Sequence, residues 1–132
     1  MNIGILHLTD LHISNKNIDI INKRIEPLVN SCQIQLSGIF KLYIVVSGDI
    51  ANTGVQNEYA LAVNFFSSLK ESIKHRFKVI NTIELIVVPG NHDCQLIQNN
   101  SVRTALLETS RTKDDIDESI TDLCSEVQKD FW

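Results

Sequence analysis

Ile3-Gly4-Ile5-Leu6-His7-Leu8 runs into Thr9-Asp10-Leu11-His12, and this passage decides the fold. A short apolar run bounded by polar loop residues reads as a buried strand. Asp10 and His12 then stand just beyond its carboxyl end. The pattern recurs twice. Tyr43-Ile44-Val45-Val46-Ser47 runs into Gly48-Asp49, and Leu85-Ile86-Val87-Val88 runs into Pro89-Gly90-Asn91-His92-Asp93. In an open parallel sheet, ligands bind outside the carboxyl ends of the strands. Three apolar strands that each end in Asp, His or Asn therefore predict one site rather than three separate motifs.

The segments between these strands carry helical periodicity. Ile18, Ile21, Ile25, Leu28, Cys32 and Leu36 recur at helical spacing. Pro27 interrupts them and suits a helix start, so the expectation is a main helix from Pro27 to Ser37 after a loose turn, ended by Gly38. Tyr59, Ala62, Val63, Phe66, Leu69, Ile73 and Phe77 form a strong apolar stripe, which predicts a helix from about Asn57 to His75. Strands are expected at 3–8, 42–46 and 83–88. A polar loop runs on to about Asn100. A short helix over 101–107 and a last helix from Asp114 to Phe131 complete the chain. The order is β-α-β-α-β-α, an α/β unit with parallel pairing as the default. There is no internal repeat or low-complexity tract.

The 132 residues suffice for one domain with a modest core. An apolar fraction of 43% fits a globular protein. The net charge of −4 leaves no electrostatic footprint for nucleic acid, although a substrate held by metals stays compatible with it. The apolar runs are strand-sized, too short to span a membrane, and no basic segment precedes the first of them, so no signal peptide is expected. Cys32, Cys94 and Cys124 are odd in number and widely spaced. They fit a reduced, cytoplasmic chain better than a disulfide framework.

Divalent metals take carboxylate oxygen, imidazole nitrogen and, more weakly, amide oxygen. Asp10, His12, Asp49 and Asn91 offer all three. In Asp10-x-His12 both side chains reach one ion if the backbone stays extended. Asp49 can bridge two ions, and Asn91 can bind the second. Two ions about 3.5–4 Å apart can activate a water and clamp the oxygens of a phosphate ester. His92 would then serve as general acid to the leaving group, and Asp93 would orient a neighbouring side chain. Gly48 and Gly90 suit close backbone approach.

Asp10-Leu11-His12, Gly48-Asp49 and Gly90-Asn91-His92-Asp93 resemble the first three signatures of the calcineurin-like metallophosphoesterases. The resemblance covers Ile3 to Asp93, in the same order of strands and helices. It implies a hydrolase, a phosphatase or phosphodiesterase, that cleaves phosphate mono- or diesters with a metal-bridged hydroxide. It implies Asp10, His12 and bridging Asp49 at one ion, Asp49 and Asn91 at the other, and His92 as the catalytic acid. The ions of the complete family site would be two among Mn²⁺, Fe²⁺ or Fe³⁺, Zn²⁺ and Ni²⁺. The family completes its site with downstream histidines, one isolated and then a pair in a Gly-His-x-His motif. The four histidines here are at 7, 12, 75 and 92. The family's fold is an α/β/β/α sandwich, of which one sheet is expected here. Residues 1–132 thus read as a partial metallophosphoesterase domain without its downstream half. The expectation is one weakly bound divalent ion or none, slow turnover at best, and uncovered apolar sheet surface that invites self-association.

Plainer readings apply elsewhere. His7 reads as a hydrogen-bonded structural histidine. His75, with Lys74, Arg76 and Lys78, reads as a cationic helix end, and Cys94 as a loop cysteine. Asn52 to Gly54 read as a turn. Asp114, Asp115, Asp117 and Glu118 read as an acidic helix N-terminus. Phe65, Phe66, Phe77 and Phe131 read as core or interface residues. The alternative function is a phosphoesterase-like binding or scaffolding module without turnover. The residues single out no substrate class among phosphoproteins, nucleotides, cyclic nucleotides and nucleic acids.

Overall fold

The computed structural model describes residues 2–95, 101–109 and 116–132. Three strands, β1 (Ile3–Leu8), β2 (Lys41–Ser47) and β3 (Thr82–Val88), form one parallel sheet in the order β1-β2-β3. Leu6 lies opposite Ile44, and Ile44 opposite Leu85. Side chains alternate between faces along a strand, so this register puts the three on one face. Leu42, Ile44 and Val46 of the central strand are fully buried there. Each contributes about 1.5–3 kcal/mol through burial. The opposite face carries Ile3, Ile5, Tyr43, Val45, Ile86 and Val88, and it stays open. Ile5 is 70% exposed and Ile3 56%.

The connections supply the helices that cover the buried face. These are α1 (Ile18–Lys23), α2 (Ile25–Ser31) and α3 (Gln56–Arg76). Val29 of α2 and Ala62, Phe65, Phe66, Leu69 and Ile73 of α3 join the core cluster. Phe77 and Phe131 pack partly buried against it. Lys74, His75 and Arg76 close α3, where cations favour the negative end of the helix dipole.

The segment before β2 differs from its expected form. The helix expected over 27–37 is α2, Ile25–Ser31, and the loose turn expected before it is the short helix α1; Pro27 lies in the first turn of α2. The amide that proline lacks has no helical acceptor in that turn, so α2 begins two residues earlier at no cost. Beyond Ser31 the chain continues in turns to Gly38, whose φ of 78° ends them.

Two further helices follow, α4 (Ser101–Thr109) and α5 (Glu118–Ser125), with a 3₁₀ turn at 126–128. The last helix, expected over 114–131, begins at Glu118 and ends at Ser125, so it is shorter at both ends, and Asp114 and Asp115 lie outside the described residues. Asp117 has an extended backbone, and its carboxylate accepts the Ile120 amide at 2.9 Å. This caps α5 at its observed start. The end of the chain is fastened to the site-bearing loops. The Gln95 amide donates to the Val127 carbonyl at 2.6 Å, and the Gln56 amide to Asp130 at 3.1 Å. Among the described residues, no helix is long and apolar enough to cross a membrane.

Candidate metal centre

The loops after the three strands meet at the carboxyl edge of the sheet. Main-chain bonds join the first two. The His12 amide donates to the Asp49 carbonyl at 2.9 Å, and the Ile13 amide to the Ile50 carbonyl at 2.8 Å. The third loop joins through a side chain, because the Asp49 carboxylate accepts the His92 amide at 2.9 Å. Asp10, His12 and Asp49 all adopt left-handed backbone conformations, with φ of 54°, 46° and 53°. The extended geometry expected for Asp10-x-His12 is therefore absent. The two side chains converge through a turn, with Asp10 Oδ1 4.0 Å from His12 Nε2.

Metal-ligating atoms of His12, Asp49 and His92 lie within 4.8 Å of one another. Atoms bound to one ion at about 2.0–2.2 Å stand at most slightly closer than this. The donor set, two imidazoles and a carboxylate, suits borderline divalent ions such as Zn²⁺, Mn²⁺ and Fe²⁺. His12 Nδ1 is buried and has no hydrogen-bond partner in the protein. A buried polar atom without a partner is costly; an ion or a solvent molecule would satisfy it. By donor chemistry and by this orphaned nitrogen, the residues present fit a divalent metal.

The other predicted site residues lie around this group. Asp10 is exposed, and the Thr9 hydroxyl donates to its Oδ2 at 2.7 Å. Asn91 is exposed beside His92. His92 stacks edge-on against His12, with ring centroids 4.5 Å apart. Its Nδ1 lies 3.0 Å from the Asn52 carbonyl. A carbonyl only accepts, so Nδ1 carries a proton and Nε2 is left for chemistry. Main-chain atoms give no sequence signal, so this partner was not foreseeable.

Asp93 is fully buried and acts on backbone rather than on a neighbouring ligand. Its carboxylate accepts the amides of Ile50 at 3.2 Å, Ala51 at 2.8 Å and Gly90 at 2.8 Å. The Tyr59 hydroxyl reaches its Oδ1 at 3.2 Å and its carbonyl at 3.0 Å. Burial, then the Asp93 charge, pushes the Tyr59 phenol well above its ordinary range. The hydroxyl therefore stays protonated and available as a donor. Glu58 supports the same loop, accepting the amides of Asn52 at 3.1 Å and Thr53 at 2.7 Å.

His7, His75 and Cys94 are not among the metal group. His7 Nε2 lies 2.7 Å from Ser47 Oγ, a structural hydrogen bond. His75 is exposed near the end of α3. Cys94 Sγ receives the Gln128 amide group at 3.3 Å. All three cysteines are free.

No match to a curated protein was found. The family model for calcineurin-like phosphoesterases matches residues 3–126. That span takes in all three strand-end loops and most of the 132 residues, and the chain belongs to the calcineurin-like phosphoesterase family.

Proposed function

We propose that this chain holds a divalent metal ion at His12 and Asp49, with Asp10 and Asn91 at its margin, and hydrolyses phosphate esters there. The observation that carries this reading is the convergence of His12, Asp49 and His92 within 4.8 Å, with one buried imidazole nitrogen left unpartnered. When bound, such an ion supplies Lewis acidity toward a phosphoryl oxygen and lowers the pKa of water. The protein's own groups do the rest. Asp49 contributes negative charge at the centre while its Oδ1 anchors the His92 amide. Thr9 holds the Asp10 carboxylate by one oxygen and leaves the other free. His92 is fixed through Nδ1 to Asn52, and as the imidazolium, with a proton on each ring nitrogen, it can hand the Nε2 proton to a leaving oxygen.

The closeness of His92 to the other two donors also favours a second role for it, as a third ligand. Catalytic sites commonly use three protein donors and keep one position open. His92→Asn separates the roles. An acid leaves Mn²⁺ affinity unchanged and loses turnover, whereas a ligand loses both.

Mn²⁺ titration by calorimetry tests the proposal, with hydrolysis of a simple aryl phosphate followed in parallel. We expect about one ion per chain, a stoichiometry abolished by Asp49→Asn. A native chain that stays folded and binds no Mn²⁺ would sink the metal reading. Binding without turnover would support a binding module in place of an enzyme.

A further inference from the structure

We propose that Tyr59 is a positioning residue for the metal centre, acting through the buried carboxylate of Asp93. The inference rests on the metal reading above and goes beyond it, because Tyr59 lies on α3 and its hydroxyl bonds Asp93, which is not one of the candidate ligands.

Asp93 is 0% exposed, and no cation pairs with it among the described residues. A buried carboxylate without a counter-charge is tolerated only where donors fill its lone-pair positions. Four donors do so here. Ala51 N–H meets Oδ1, Ile50 N–H and Gly90 N–H meet Oδ2, and the single proton of the Tyr59 hydroxyl is shared between Oδ1 at 3.2 Å and the Asp93 carbonyl at 3.0 Å. Two of the amides belong to the loop that carries Asp49. The third belongs to the loop that carries Asn91 and His92. The carboxylate therefore ties those loops together, and Tyr59 is the only one of the four donors supplied by a helix.

The tie leaves little slack. A Cβ on Gly54 would stand 2.8 Å from the Asp93 carbonyl carbon and oxygen. The Tyr59 ring is itself held edge-on against Phe131, with centroids 5.8 Å apart. Removing the Tyr59 hydroxyl leaves an oxygen of the buried carboxylate short of a donor. Water then enters, or the carboxylate rotates away from its amides. Either change alters the spacing between Asp49 and His92, on which the donor geometry depends. Residues that orient metal ligands without touching the ion typically affect affinity by about 10–100-fold.

Tyr59→Phe deletes one oxygen and keeps the ring packing. Mn²⁺ affinity is measured by calorimetry on the full chain, below the melting temperature of every variant. Leu69→Ala is the control. Leu69 is fully buried in the core cluster on α3 and takes part in none of the hydrogen bonds named at the site. It should lower the melting temperature at least as much as Tyr59→Phe. The expected result is Mn²⁺ affinity at least tenfold weaker in Tyr59→Phe and unchanged in Leu69→Ala. Native affinity in Tyr59→Phe overturns the proposal. An equal loss in both variants also overturns it, because general destabilisation then explains the effect. Failure of the native chain to bind Mn²⁺ is a different result, and it overturns the metal reading itself together with this one.

Discussion

Three non-glycine residues with positive φ stand at the centre, and two of them, His12 and Asp49, belong to the metal group. The left-handed conformation costs about 1–2 kcal/mol for an ordinary L-residue and is tolerated best by Asp and Asn. Such strain gathers at functional sites, where surrounding contacts hold it in place. Here the contacts are the main-chain bonds from Asp10 to Gly48 and from His12 to Asp49. Gly90 shows how close the fit is. A Cβ there would lie 2.2 Å from Asp49 Oδ1 and 2.5 Å from the Asp49 amide nitrogen. Gly90→Ala must therefore displace the carboxylate. We expect Mn²⁺ affinity to fall about 10–100-fold with the circular-dichroism spectrum unchanged. Native affinity in this variant would mean that the Asp49 carboxylate does not hold the ion.

At the scale of elements, the helix ends report most directly on sequence. Asp117 caps α5, and its pKa is lowered first by the Ser119 hydroxyl and then by the Ile120 amide. A lowered folded pKa means that the cap's contribution is present above the ordinary carboxylate pKa. It is lost as pH falls through the lower folded value. The Ile120 amide proton should titrate by NMR with a midpoint below the usual aspartate range and lose that titration in Asp117→Ala. A midpoint at or above the ordinary value would show that the cap does not form. In α3 the amphipathic stripe suffices for prediction, and the helix extends one residue beyond the expected 57–75 at each end. The region before β2 was harder to read, because Pro27 is acceptable anywhere in a first turn. Periodicity alone does not say at which residue of that turn it sits.

At the scale of the whole molecule, one sheet face is covered by helices and the other is open. Three strands of six or seven residues measure about 14 by 22 Å, or roughly 300 Å² of flat surface. A stable pair buries about 800 Å² on each partner. Self-association of two copies through this face should therefore be weak, with Kd above about 1 μM. Sedimentation velocity over a concentration series measures it. We expect a concentration-dependent shift that Ile5→Glu removes without lowering the melting temperature, since Ile5 is already exposed. A native chain that remains monomeric throughout the series removes this face as a self-interaction surface.

The three strands, their parallel pairing, the long helix and the loops that carry Asp10, His12, Asp49, Asn91 and His92 are legible in the linear sequence, whereas the order of the strands in the sheet is not. Those features follow from apolar runs and periodicity, which are local and survive in a linear reading. Which donors meet is set by the packing of the three loops. It brought His12, Asp49 and His92 together and left the Asp10 carboxylate outside that group. It turned Asp93 from a neighbour of the site into the tie between two loops, and it recruited Tyr59 and the Asn52 carbonyl. These contacts depend on backbone amides, carbonyls and dihedral angles across loops distant in the chain. Every residue carries the same amide and carbonyl, so the linear pattern has no mark for where they will point.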